Sequence, residues 1–321
     1  MTEQRQYPVA RVNGADLAYV EAGSGDAVIF VHGGISDLTI WRHQIPVFGA
    51  RYRAIAYSRR YAWPNEEIPD GVDDQMIPHA DDLAALIETL GAAPAHLVGN
   101  SWGAFICLFT ALRRPDLVRT LTLEEPPVLP LFISTPPRPQ ELLKVMLSRP
   151  ATGAAIVGAL VKGMVPTTIA LRRGKLEEGV RIFATRVALG QDTYESLPVD
   201  VKEHMLLNAK THAAQFLGAG MPRFTDDDAR RIQQPALLVS GERSPALMQR
   251  LTHRLAGLLP HVERVLIPGA SHVMHYENPP ATNAAILNFL AAHSPIGHDA
   301  NEDRVEAGGV QVPQMLPAMK G

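Results

Sequence analysis

The chain has one cysteine, Cys107, among 321 residues. A lone thiol excludes an intrachain disulfide and leaves too few soft ligands for a cysteine-built zinc site. Basic residues are not in excess: Lys plus Arg number 30 and Asp plus Glu 33, a formal net charge of −3. That balance offers nothing to drive nucleic-acid binding by counterion release. No unbroken apolar run reaches the length of about 18 residues that a spanning helix needs, so no membrane segment is expected. The N-terminal MTEQRQYPVARVNG lacks the apolar region of a signal peptide, which makes the cytoplasm the expected compartment. An internal repeat is also absent.

What is present is ordinary for a globular protein, with 46% hydrophobic and 20% charged residues. At about 150 residues per domain, the length suits two domains or one large α/β domain carrying an insertion. Short apolar runs at Leu17–Glu21, Ala27–His32, Tyr52–Tyr57, Ala95–Gly99 and Leu121–Glu125 read as strands. Between them, Leu83, Leu86, Ile87 and Leu90 show the spacing of an amphipathic helix. Residues 104–113 are apolar all round, as in a buried helix. Strands alternating with helices imply a mostly parallel sheet covered on both faces.

After Glu125 the rhythm breaks. The run PPVLPLFISTPPRP carries six prolines and reads as a crossover segment. From about Gln140 to Leu217 the patterns are helical, with candidates at 142–147, 154–164 and 179–189. Strand and helix signals return at Ala236–Ser240, Pro245–Leu259, Glu263–Ile267 and Pro279–Ala292. The chain is therefore expected to hold an α/β core, 1–125 and 231–293, with a helical cap, 126–230, inserted between its halves. The Gly-, Pro- and acid-rich tail, 294–321, is expected to be flexible.

Three motifs carry chemistry. Gly99-Asn100-Ser101-Trp102-Gly103 follows a strand and opens a helix, the context in which G-x-S-x-G presents a nucleophilic serine on a sharp turn. His32-Gly33-Gly34 ends the second apolar strand. Its glycines let backbone approach a substrate, so the N–H groups of Gly34 and Trp102 are the candidate oxyanion hole. Gly269-Ala270-Ser271-His272 places a histidine after the last strand, where it can serve as the base that a serine hydroxyl needs. His275, three residues on, competes for that role and would otherwise pack or bond elsewhere.

In this order the three motifs resemble the α/β-hydrolase family, over roughly residues 15–292. The resemblance implies an eight-stranded, mostly parallel sheet flanked by helices, a helical cap inserted after strand six, and a Ser-acid-His triad. One departure is informative. Most relatives carry the acid as an Asp after strand seven, but here Gly241-Glu242-Arg243-Ser244 puts Ser244 at that position, and a serine cannot support an imidazolium. Some relatives place the acid after strand six, where this chain has Glu124 and Glu125. Strand alternation points these two to opposite sides. Glu125 is the favoured acid, with Glu242 and then Glu124 as alternatives; the plainer reading of Glu124 is a surface or capping carboxylate.

The resemblance, with Ser101 as nucleophile, implies a serine hydrolase of small or medium, largely apolar esters or lactones. Hydrolysis of a C–C bond, cofactor-free perhydrolysis and a non-catalytic binder are the alternatives. No cofactor or metal is implied; the expected partner is a small-molecule substrate, with a second copy of the chain, as a homodimer, the further candidate. Pocket candidates are Gly33, Trp41, Arg59, Arg60 and the Trp102 side chain. Either arginine can bind a substrate carboxylate or pair with Asp73-Asp74 or Asp81-Asp82. The small-residue stretch 151–165 is expected to close over the pocket or to form an oligomer contact. Thr225-Asp226-Asp227-Asp228 reads as a helix start, and His204, His212, His253 and His261 as surface or cap residues.

Overall fold

A computed structural model describes residues 7–294; the expected flexible tail lies outside the described residues, save for Ser294. Eight strands form: β1 (Val9–Val12), β2 (Ala15–Ala22), β3 (Ala27–Val31), β4 (Arg53–Tyr57), β5 (Ala95–Asn100), β6 (Val118–Glu124), β7 (Ala236–Gly241) and β8 (Val262–Ile267). They make one sheet in the order β1-β2-β4-β3-β5-β6-β7-β8. β2 pairs antiparallel with β1 and β4, and every other neighbouring pair is parallel.

β3 is buried along its whole length. Its alternating residues divide between two cores: Ile29 and Val31 join one apolar layer, Val28 and Phe30 the other. Helices Met76–Thr89, Trp102–Arg113 and Ala246–Ala256 cover the first face; helix Pro279–His293 and the segment 38–48 cover the second. This two-sided burial explains why the parallel strands read as continuous apolar runs rather than alternating ones. β1 escapes a sequence reading because it is four residues long and half exposed. Cys107 is buried in its helix, where desolvation pushes its thiol far above the ordinary value and makes it unreactive.

Between β6 and β7 the described chain is helical from Pro139 to Leu217. Val180, Ala184, Leu189, Leu197, Val201 and Met205 form a separate apolar cluster that packs against Ile40 and Val273 of the sheet domain. The helices thus lie over the loops at the C-terminal ends of the strands. Residues 151–165 do not close the pocket as expected. Ile156 packs into the core beside the sheet, while Val161 is 64% and Val165 51% exposed. These residues belong to a continuous 23-residue helix, Pro150–Arg172, with a mean hydropathy of 1.7 over its most apolar window. By length and composition alone this helix is apolar enough to cross a membrane, although Lys162, Pro166 and three threonines interrupt its apolar run. Thr225 caps helix Asp226–Arg231 in a reciprocal box with Asp228, which accounts for the acidic cluster.

Candidate active site

β5 ends at Asn100 and the next helix begins at Trp102, so Ser101 alone makes the turn, with φ 52° and ψ −118°. A non-glycine residue held there stores about 1–3 kcal/mol of backbone strain. The turn is tight enough to demand glycine on both sides. A Cβ on Gly103 would lie 2.1 Å from the Val31 carbonyl oxygen, and one on Gly99 would lie 2.6 Å from the Ala104 nitrogen. The Ser101 N–H donates to the Glu124 carbonyl at 2.7 Å, which ties the turn to β6.

Sheet order assembles the rest. β3 and β6 flank β5, with Val31 opposite Gly99 and Glu124 opposite Asn100. The segments that follow these strands, His32–Gly34 and Glu125, therefore emerge on either side of Ser101. The N–H groups of Gly34 and Trp102 donate to no other described residue. His32 holds the glycine loop. Its Nε2 accepts the Arg59 N–H at 2.9 Å, so the proton sits on Nδ1, which donates to the Gly33 carbonyl at 2.9 Å. Burial, reinforced by the Arg59 charge, holds this ring well below the ordinary histidine pKa and keeps it neutral.

Glu125 lies one residue beyond β6 in the left-handed region, φ 46°. Its Oε2 accepts from His272 Nδ1 at 2.7 Å and its Oε1 from the Gly241 N–H at 3.2 Å. Both side chains are buried. An ionised carboxylate accepts only, so His272 carries its proton on Nδ1 and Nε2 is left basic. Nε2 has no hydrogen-bond partner among the described residues, and His272 and Ser101 face one cavity. A serine, a histidine with a free basic nitrogen, a buried carboxylate behind it and two available N–H donors form a constellation suited to acyl transfer.

The other carboxylates lie elsewhere. Glu242 is exposed, and its Oε2 accepts the Gly269 N–H at 2.8 Å, within a surface turn. Glu124 is neither exposed nor a cap. It is fully buried, and its Oε2 accepts from His275 Nδ1 at 2.6 Å and from Asn100 Nδ2 at 3.3 Å. Alternation along β6 was expected to send Glu124 and Glu125 to opposite sides. The strand ends at Glu124, and the left-handed turn at Glu125 instead lets both reach histidines of one segment, His272 and His275.

Gly33 and Gly34 line the cavity; Trp41, Arg59, Arg60 and Trp102 do not. Trp41 is fully buried against Phe30 and His275. The Trp102 side chain packs into the core beneath the helix it begins. Arg59 turns inward and donates from Nη2 to the Gly33 carbonyl at 2.9 Å. Arg60 grips Asp82 with two hydrogen bonds of 2.8 Å each. In each case an internal partner or the core holds the side chain away from the cavity.

The walls come largely from residues that the sequence does not single out. Phe183, Leu189, Leu197 and Met205 of the helices between β6 and β7 face Ile35 and Val273. The cavity measures about 70 Å³, room for a few water-sized groups at about 10–15 Å³ each. Its rim is charged and joins the segment after β3 to the helices between β6 and β7: Arg42 pairs with Asp200, and Asp37 accepts from His204 Nδ1 at 2.8 Å. Burial works against a charged His204, but the hydrogen bond and charge of Asp37 outweigh it and raise the pKa. His212, read as a surface or cap residue, is buried between Phe183 and Phe216, where desolvation lowers its pKa to about 3. These rim pairs are 158 and 167 residues apart in sequence, so no local pattern announces them.

The sequence and the fold are similar to those of known proteins. The chain is 26% identical over 279 residues to a 2-(acetamidomethylene)succinate hydrolase of Mesorhizobium japonicum, covering 85% of this chain and 90% of that protein. It is 29% identical over 281 residues to a putative non-heme bromoperoxidase of Mycobacterium tuberculosis, covering 86% and 98%. An enol-lactonase of Burkholderia xenovorans superimposes with a TM-score of 0.68 at 21% identity, over 88% of this chain and all of that one. A family profile described as the α/β hydrolase fold matches residues 26–279. The chain belongs to the α/β-hydrolase fold family.

Proposed function

We propose that the protein is a serine hydrolase of small, largely apolar carboxylic esters or lactones. Ser101 Oγ attacks the carbonyl and His272 Nε2 takes its proton. Glu125 orients the ring and supports the imidazolium that forms. The N–H groups of Gly34 and Trp102 hold the developing oxyanion. His272 returns the proton to the leaving alcohol, then activates water to release the acid. Apolar cap and core walls around a small cavity favour a short acyl group.

The observation that carries this reading is the buried 2.7 Å contact between His272 Nδ1 and Glu125 in a cavity shared with Ser101. A serine at the elbow argues against the alkyl-enzyme chemistry of an aspartate nucleophile. The test is turnover of p-nitrophenyl acetate and butyrate and of a simple lactone, with and without hydrogen peroxide, by wild type and Ser101→Ala. Peroxide-independent turnover that requires Ser101 is expected. Product formed only with peroxide would favour perhydrolysis instead.

A further inference from the structure

Two histidine–carboxylate pairs lie side by side behind Ser101, and the proposed reaction uses one of them. The second, His275–Glu124, is fully buried. We propose that Asn100, Glu124 and His275 are positioning residues that hold the backbone of His272, and through it the base, against the nucleophile. The inference rests on the reading of Ser101 and His272 as nucleophile and base.

The link is the Asn100 amide. Its Nδ2 donates to the His272 carbonyl at 3.0 Å and to Glu124 Oε2 at 3.3 Å, which engages both of its hydrogens. Asn100 directly precedes Ser101, so this side chain joins the backbone of the base to that of the nucleophile. It also abuts the oxyanion loop: its Oδ1 lies 3.0 Å from where a Cβ on Gly33 would stand. Glu124 fixes the amide and is itself fixed by His275. The His275 ring stacks on Trp41 with centroids 4.4 Å apart, and its carbonyl accepts from Gln44 Nε2 at 2.9 Å.

The pair is not fully satisfied by other side chains. Glu124 Oε1 and His275 Nε2 are buried without a hydrogen-bond partner among the described residues, and an incompletely satisfied buried network is costly where an apolar pair is not. The Asn100 contacts to the His272 carbonyl and to Glu124 link the pair to the placement of His272.

The experiment uses Asn100→Ala, Glu124→Leu and Glu124→Gln in the full chain. Steady-state kinetics on p-nitrophenyl butyrate and the rate of fluorophosphonate labelling are measured with melting temperature. The low-field proton resonance of His272 Nδ1–H is followed by NMR, assigned by its loss in His272→Gln. Misplacing a base by about 1 Å costs about 10²-fold. Asn100→Ala and Glu124→Leu are expected to lower kcat and labelling rate by about that factor, with KM near wild type and the His272 resonance shifted or broadened. Glu124→Gln should recover most of the loss, because its amide oxygen accepts from the same two donors. If Glu124→Leu does not fold, Asn100→Ala decides alone. An unchanged kcat and resonance in folded Asn100→Ala would overturn the inference, as would an activity loss confined to KM. If the wild type neither labels nor turns over, the hydrolase reading fails; the resonance still decides the positioning claim, a shift supporting it and an unchanged signal overturning it.

Discussion

At the scale of single residues, the site depends on a few atoms whose replacement has a defined direction. Glu125→Gln keeps the shape of the acid but lets the amide nitrogen face His272 Nδ1, which presents the wrong tautomer to Ser101. Its kcat should fall about 10³- to 10⁴-fold, whereas Glu242→Gln, at a surface turn, should leave kcat near wild type; ester turnover under saturating substrate distinguishes the two. Gly103→Ala places a Cβ 2.1 Å from the Val31 carbonyl oxygen. Overpacking of this kind costs about 1–3 kcal/mol or more, and since the clash is with backbone, a lower melting temperature and a lower yield of folded protein are expected. Ser101, His272 and the paired glycines are legible in the sequence because each sits in a local motif at a strand end. Glu125 is legible only through the gap at Ser244. Glu124 is not, because the direction of its side chain depends on where β6 stops and on the left-handed turn at Glu125.

At the scale of elements, the core is readable because buried parallel strands leave continuous apolar runs, as in β3. The cap is less so. Its helices bury apolar residues against one another as well as against the sheet part, so the sequence pattern locates them without saying which face lines the cavity. The stretch 151–165 is the most apolar of them and yet lies away from the cavity, while 183–205 supplies the wall. Val165→Glu, at a half-exposed position, is expected to leave ester turnover unchanged, and Leu197→Trp, in the wall, to raise KM for butyrate more than for acetate; comparison of the two esters checks this. Cap and core also meet through charge. The raised His204 pKa means that the Asp37–His204 contact stabilises fully below the unfolded value of about 6.5 and is lost as pH rises through the folded value. The melting-temperature gap between wild type and His204→Gln should therefore shrink as pH is raised.

At the scale of the whole molecule, buried histidines act in the opposite sense, His32 described above among them. Desolvation, aided by the Arg119 charge, lowers His96 to about 4, and desolvation lowers His212 to about 3. Both stay neutral in the fold but take up a proton near pH 6.5 when unfolded. Their contribution is complete above that pH and is lost as pH falls from about 6.5 toward these lowered values. Acid should destabilise the protein, and His212→Leu should reduce the acid-dependent part of that loss, as read by denaturant unfolding across the acid range. The catalytic claim also belongs to the whole molecule, because its parts come from β3, β5, β6 and the loop after β8. Intact-mass analysis after reaction with a fluorophosphonate tests it most directly. One phosphonyl adduct on wild type, none on Ser101→Ala and a strongly slowed adduct on Glu125→Gln are the expected results. An unlabelled wild type, or a Ser101→Ala variant labelled as fast as wild type, would contradict the assignment of Ser101 as the activated nucleophile.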